Sequence, residues 1–185
     1  MQLEAIFNPS LQQAVFRALL QAQSYPGLAV ALPKDVEGKD AHRAVLSALL
    51  DAEVSLADPQ GLLSDESDWP FLEARRAPVE QADFILAEGA HPLVLKPCLG
   101  SLSEPEQSAT LVLRLSATDD APQSTLRLSG PGIREPRNLE VRGLHPDWIK
   151  QRNGWVAGFP LGVDVILAGA MGLIALPRTT HVEIQ

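Results

Sequence analysis

A short polar segment near the C-terminus, Arg178-Thr179-Thr180, carries residue types suited to binding an anion. An arginine guanidinium can hold a phosphate or carboxylate through two parallel hydrogen bonds, and threonine hydroxyls can add short ones. The segment follows an apolar run that is predicted to be buried. With these hydrogen-bond donors, the Arg178-Thr179-Thr180 segment could face a ligand. Alternatively, Arg178 pairs with a nearby carboxylate and the threonines belong to a strand, which spacing alone favours.

A second candidate is the turn Gly130-Pro131-Gly132, which follows a predicted strand. Glycines at such a position allow backbone N–H groups to turn toward an anion. The pattern is not a dinucleotide-binding fingerprint, because Glu135 occupies the place of the third glycine and Pro136 prevents the regular helix that should follow. A simple tight turn is the favoured interpretation.

Asp164 lies within an apolar run, where a carboxylate needs a partner. Arg178 is a candidate partner if the last two predicted strands form a hairpin, and a structural salt bridge is the favoured role. The sequence assigns no catalytic residue. The residues proposed to bind an anion or another ligand are Arg178, Thr179, Thr180, Gly130, Gly132 and Asp164.

Other reaction classes find no support. The four histidines are far apart and lack the H-x-x-x-H or H-E-x-x-H spacing, so no metal site is predicted. The sequence has no phosphate-binding P-loop motif and no G-x-S-x-G nucleophile elbow. None of the four lysines stands in a context that demands a Schiff base, and no cofactor is predicted. With Cys98 as its single cysteine, the chain alone cannot hold an iron–sulfur cluster.

The elements that position these residues follow from apolar periodicity. An amphipathic pattern predicts a first helix that begins with a capping box at Ser10 and Gln13 and ends before Pro26. Further helices are predicted over 41–50, 71–77 and 146–155. Strands are predicted over 28–32, 53–57, 82–89, 109–116, 124–130, 163–169 and 173–177.

The order of these elements predicts the fold class. Strands interleave with helices in the first half, whereas paired strands dominate the second half, with a possible hairpin between 109–116 and 124–130. Residues 58–70 should form an acidic loop, 117–124 a polar turn and 131–144 a loop or an edge strand. The pattern predicts one α/β layered domain over 1–185 with a mixed sheet.

Composition limits the partners. The 185 residues suit one domain, and 45% hydrophobic content suffices for a core. The net charge of −8 argues against nucleic-acid binding but allows a local cationic pocket for a small anion. The N-terminus shows no signal-peptide pattern, and the longest apolar stretch, 163–176, is shorter than the ~20 residues that span a bilayer. We expect a soluble cytoplasmic protein without membrane contact.

Several segments, in matching order from about Leu11 to the C-terminus, resemble the PhnH family, subunits of the bacterial carbon–phosphorus lyase system. GPGI, FPLG-x-D and PRTT are the most specific pieces. One departure is Gln23, where the family often has Met. The segments are FRALLQAQSYPG (16–27), LLDAEVSL (49–56), ADFILAEG (82–89), PEQSATLVL (105–113), LRLSGPGI (126–133), FPLGVDVIL (159–167) and LIALPRTTHVEI (173–184).

The resemblance implies a three-layer α/β fold, with a mixed sheet and helices on both faces, similar to the large domain of pyridoxal-phosphate-dependent transferases but without that cofactor. It implies a homodimer when isolated and a core complex with the other carbon–phosphorus lyase subunits. That system lets bacteria use phosphonates. An early step transfers the ribose triphosphate unit of ATP to methylphosphonate with release of adenine, and its catalytic role is usually given to another subunit.

Three hypotheses therefore remain open at the level of sequence. The chain is an assisting subunit, inactive alone, whose surfaces dock partners. Alternatively, it contributes a pocket for a phosphate or phosphonate ligand, built from Arg178, Thr179 and Thr180 with the Gly130–Gly132 turn. Finally, it is a stand-alone phosphate- or phosphonate-ester-binding protein, or a transferase with a degenerate pyridoxal-phosphate-type site.

Overall fold

The computed structural model describes residues 5–36, 38–116 and 118–185. Residues 1–4 of the N-terminus, where no signal peptide is predicted, and residue 117 of the predicted turn 117–124 lie outside these ranges. The helices are α1 (Pro9–Ser24), α2 (Ala41–Leu49), α3 (Trp69–Leu72) and α4 (Pro146–Trp155). The strands are β1 (Ser55–Ala57), β2 (Arg75–Arg76), β3 (Phe84–Glu88), β4 (Thr110–Arg114), β5 (Gln123–Ser129), β6 (Arg137–Arg142), β7 (Asp164–Gly169), β8 (Gly172–Leu176) and β9 (His181–Ile184).

A six-stranded mixed sheet in the order β2-β1-β3-β4-β7-β8 forms the centre of the molecule. All neighbouring strands in it are parallel except β7 and β8, which form an antiparallel hairpin. The register aligns Leu86 of β3 with Val112 of β4, and Val112 with Ile166 of β7. The predicted α/β fold with a mixed sheet is confirmed.

Successive side chains of the central strands point to opposite faces of this sheet, and both faces are buried. The central strands therefore have nearly continuous apolar sequences. Leu86, Val112 and Ile166 pack with α1 and α2 in one apolar core. Their neighbours Ile85 and Leu113 lie in a second core. That core is covered by α4 and by a separate antiparallel sheet in the order β6-β5-β9, a layer that the sequence pattern did not predict.

The first helix is confirmed, but its predicted cap is wrong. Asn8 is the N-cap, and its side-chain oxygen accepts a hydrogen bond from the backbone N–H of Ser10 at 2.9 Å. Pro9 occupies the first helical turn, where its missing N–H costs nothing. Ser10 therefore lies inside the helix. The buried stripe is Leu11, Val15, Ala18, Leu19 and Ala22.

The predicted strand over 28–32 is wrong. In this segment Val30 alone is buried, and it makes a single antiparallel bridge to Leu173 of β8. The N–H of Val30 donates to the carbonyl of Leu173 at 2.8 Å, and the reverse bond has the same length. Pro33, which has no N–H, cannot extend the ladder. The segment instead covers the exposed edge of the six-stranded sheet.

The predicted helix over 71–77 is displaced and shorter. The helix α3 begins at Trp69 and ends at Leu72, because Glu73 adopts a left-handed backbone conformation with φ of 58°. Arg75 and Arg76 then pair with β1 as the edge strand β2.

The predicted hairpin between 109–116 and 124–130 is also wrong, since β4 lies in the central sheet and β5 in the small one. β4 has three consecutive buried residues, Leu111 to Leu113, and pairs with β3 and β7. β5 buries alternate residues only and pairs with β6 and β9. β6 is an edge strand, as one of the two alternatives predicted.

No helix within the described residues has the length and apolar character needed to cross a membrane.

Candidate functional site

A concave crevice of about 740 Å³ opens at the carboxyl edge of the parallel strands. Its walls come from the ends of β3 and β4, the loops that follow them, and the turn between β7 and β8. Open α/β sheets bind ligands at this edge, because adjacent loops diverge there. The volume lies within the usual range of small-molecule sites. None of the site residues predicted from the sequence lines this crevice.

An ion pair, Glu88 with Arg114, lies in the crevice. The two residues close β3 and β4 and are aligned in register. The Arg114 Nε donates to Glu88 Oε2 at 2.6 Å, and Nη2 contacts the same oxygen. The other carboxylate oxygen, Oε1, is buried and accepts no hydrogen bond from any described residue. The Nη1 of Arg114 likewise has no hydrogen-bond partner among described residues, so one acceptor oxygen and the two N–H groups of Nη1 remain unused.

Neighbouring groups hold the backbone of Glu88. Its N–H donates to the Gln60 side-chain oxygen at 2.7 Å, while the Trp148 indole N–H donates to its carbonyl at 3.1 Å. The amide nitrogen of Gln60 in turn donates to the His91 carbonyl at 3.1 Å. The Glu88 carboxylate therefore projects from a backbone that is fixed from both sides.

A buried histidine on α2, His42, is linked electrostatically to the crevice. Burial, together with the positive charges of Arg114 and Arg43, lowers the pKa of His42 to about 4, against the smaller opposing effect of Asp40 and Asp68. The side chain is 3% exposed, and its Nδ1 has no hydrogen-bond partner among described residues. His42 is therefore neutral at neutral pH.

The structure places Arg178 at the opposite edge of the sheet, beside the first residue of β7. Its Nη2 donates to Asp164 Oδ2 at 2.8 Å, and its backbone N–H donates to Asp164 Oδ1 at 2.7 Å. The Nε also donates to the Asp164 carboxylate, Nη1 donates to the carbonyls of Pro105 and Pro160 at 2.8 and 3.3 Å, and Nη2 donates to the Ser108 hydroxyl. The structure thus shows the Arg178–Asp164 pair. Anion binding by Arg178 stays a prediction, and it would have to displace these partners.

The other predicted residues divide into two places. Gly130 packs against the exposed Thr179, whose carbonyl would lie 2.9 Å from a Cβ at that position. Thr180 is buried, and its hydroxyl makes no hydrogen bond to a described residue. Gly132 lies elsewhere, against Ser24, whose carbonyl would be 2.7 Å from a Cβ. The fold therefore unites Gly130 with the two threonines but not Gly132.

Arg152, which was not among the residues predicted from the sequence, organises the Pro177–Thr180 turn. Arg152 is 1% exposed, and its Nη2 donates to the carbonyls of Pro177 and Thr180 at 2.6 and 2.8 Å. Burial lowers the pKa of Arg152 to about 10, while the negative charge of Asp164 opposes this shift. Its position four residues after the buried Trp148 indicates a core-facing residue, a helical spacing visible in the sequence.

Metal ligation has no geometric support in the described parts of the chain, where no three His, Cys, Asp or Glu side chains are close enough together to hold an ion.

A comparison with models of protein families identifies the family of this chain. Residues 7–183 match the model of PhnH, described as a bacterial phosphonate metabolism protein. The chain belongs to the PhnH family. The predicted resemblance is confirmed, and the match includes both the crevice and the Arg178 segment.

Two relatives agree with this membership. HtxG of Stutzerimonas stutzeri, provisionally named a C-P lyase subunit protein, is 46% identical over 180 residues, covering 97% of this chain and 90% of its own. The PhnH subunit of alpha-D-ribose 1-methylphosphonate 5-triphosphate synthase from Rhizobium meliloti is 28% identical over 186 residues, covering 92% of this chain and 90% of its own.

Proposed function

We propose that this chain is an assisting subunit of a carbon–phosphorus lyase core complex in phosphonate catabolism. In that complex it supports transfer of the ribose 5-triphosphate unit of ATP to methylphosphonate, with release of adenine. The observation that carries the proposal is the family match over residues 7–183, together with relatives named as subunits of a C-P lyase and of a ribose methylphosphonate triphosphate synthase.

The crevice supports an assisting role rather than a catalytic one. Among its described residues, no serine hydroxyl hydrogen bonds to a histidine, which is the arrangement that activates a nucleophile. Its buried carboxylate is already paired with Arg114. The alternative of a stand-alone binding protein or a degenerate transferase finds no support in the names of the relatives.

Our proposal includes a homodimer in isolation and a cytoplasmic location, with a fold similar to the large domain of pyridoxal-phosphate-dependent transferases. Phe16 and Leu20, 43% and 52% exposed, lie one helical turn apart on α1 and offer an apolar surface that a second subunit could cover. Light scattering of the purified chain tests the dimer, and a monomeric mass would contradict it.

Reconstitution with the other lyase subunits tests the proposed role. The chain should co-purify with them, and adenine release from ATP and methylphosphonate should fall to background when this chain is omitted. The isolated chain should release no adenine. Failure to co-purify, together with undiminished turnover in its absence, would overturn the subunit role. Turnover by the isolated chain would overturn the assisting role.

A further inference from the structure

We propose that the crevice at the ends of β3 and β4 binds a phosphorylated sugar. Arg114 holds the phosphate, and Glu88 accepts a hydrogen bond from a sugar hydroxyl. The proposal goes beyond the subunit role, which requires only that the chain join its partners.

Glu88 carries a buried carboxylate at the end of β3. The residue is 7% exposed, and its Oε1 is buried without a hydrogen-bond donor among the described residues. A buried carboxylate oxygen without a donor is costly, whereas Oε2 is satisfied by Arg114. The backbone bonds to Gln60 and Trp148 keep this carboxylate in place. A ligand that donates a hydroxyl hydrogen would supply the missing bond.

Arg114 brings a guanidinium to the lining of the crevice. Its side chain is 36% exposed, and two of its three guanidinium nitrogens contact Glu88. By contrast, every guanidinium nitrogen of Arg178 has a protein partner, and that side chain is 16% exposed. In a chain with a net charge of −8, a phosphate requires a cation that is both concentrated and accessible. Arg114 meets this condition better than Arg178.

The charges that line the crevice favour one class of ligand. The charge of Arg114 is balanced by Glu88, and Asp120 also lines the crevice, so inorganic phosphate alone meets little net attraction. A molecule that carries both a phosphate and a hydroxyl satisfies the cation and the carboxylate together. Because Oε1 is buried, a neighbouring side chain has to shift before a ligand hydroxyl reaches it. Leu62 and Leu115 provide apolar walls that suit the face of a sugar ring.

Calorimetry on the purified full-length chain tests this site with three probes: ribose 5-phosphate, ribose and inorganic phosphate. We expect saturable binding of ribose 5-phosphate, and binding at least ~10-fold weaker for ribose or phosphate alone, because each satisfies one partner only. The Arg114→Gln variant should lose ribose 5-phosphate binding by ~10-fold or more. The control is Arg76→Gln, which changes an exposed arginine that pairs with Asp65 and is not among the crevice-lining residues.

Two further variants keep the test decisive if the unpaired Glu88 prevents Arg114→Gln from folding. The double variant Glu88→Gln/Arg114→Gln removes both charges of the pair and should fold, yet bind no ribose 5-phosphate. The single variant Glu88→Gln frees the guanidinium, so it should bind inorganic phosphate more tightly and lose preference for the sugar phosphate. Undetectable binding of ribose 5-phosphate to the wild type would overturn the proposal, as would equal losses in Arg76→Gln. Because the isolated chain is used, this result is independent of co-purification with other subunits.

Discussion

At the scale of single residues, two arginines of the same chemistry have different environments. Arg178 is enclosed by Asp164 and by the oxygen atoms of the 105–108 segment, whereas Arg114 borders an open crevice. The sequence drew attention to Arg178 because it follows an apolar run and precedes two threonines. Accessibility depends on which segments pack around each guanidinium, and those segments are distant in the chain.

The Arg178–Asp164 pair should contribute substantially to stability. Replacing Arg178 with alanine leaves Asp164 partly buried without its partner, so we expect a loss of about 3 kcal/mol in the free energy of unfolding, measured in urea. The matched control is Arg76→Ala, which removes an exposed pair with Asp65 and should cost under ~1 kcal/mol. Equal stability losses in the two variants would contradict a structural role for Arg178. Calorimetry with phosphate on the wild type addresses its predicted anion binding separately.

At the scale of elements, the apolar periodicity located most helices and strands, but it did not identify strand partners. β4 and β5 are neighbours in the chain and belong to different sheets. Hydrophobic alternation reports how many faces of a strand are buried, not which strand lies beside it. The 28–32 segment shows the same limit, because its backbone meets the edge strand β8 at one residue.

The turn between β7 and β8 depends on a glycine for steric reasons. Gly172 has a φ of 96°, and a Cβ there would lie 2.1 Å from the Val30 carbonyl oxygen. We expect Gly172→Ala to cost at least ~2 kcal/mol in the free energy of unfolding, because it strains the backbone and separates residue 30 from β8. Urea denaturation measures this change.

A second glycine provides the control for that prediction. Gly154 lies in α4, and a Cβ added there would meet no atom within 4 Å, so Gly154→Ala should be neutral or stabilise the protein by up to ~1 kcal/mol. A Gly172→Ala protein as stable as Gly154→Ala would show that the Val30 contact is dispensable.

At the scale of the whole molecule, burial of His42 between α2 and the central sheet links stability to pH. Folding lowers the pKa of His42 from 6.5 to about 4, so between these values the unfolded chain binds more protons than the folded one. The stabilisation is complete above the unfolded pKa and is lost as the pH falls toward the folded value. Arg114, Arg43, Asp40 and Asp68 are the charged groups that act on it.

The expected size of this effect is about 2 kcal/mol between about pH 7.5 and about pH 5. Urea denaturation of the wild type and of His42→Gln at both values measures it. Between the two pH values the wild type should lose this amount of unfolding free energy in addition to the loss measured for His42→Gln. The variant keeps the carboxylates that titrate in this range but lacks the histidine. Parallel losses in the two proteins would show that His42 is not the responsible group.

The sequence by itself determined the family, the α/β class and most element positions. Family membership is carried by local segments such as GPGI and PRTT, and element type follows from periodicity within ten or so residues. It also identified both members of the Arg178–Asp164 pair, because a carboxylate in an apolar strand requires a nearby cation.

Only the tertiary structure revealed the crevice and the small sheet. Glu88 and Arg114 are 26 residues apart, and they meet because β3 and β4 pair in parallel with a register that aligns their last residues. The burial of Arg152 beneath the Pro177–Thr180 turn likewise depends on α4 packing near the C-terminal segment. These contacts arise from long-range strand pairing and layer packing, which a local sequence pattern does not encode.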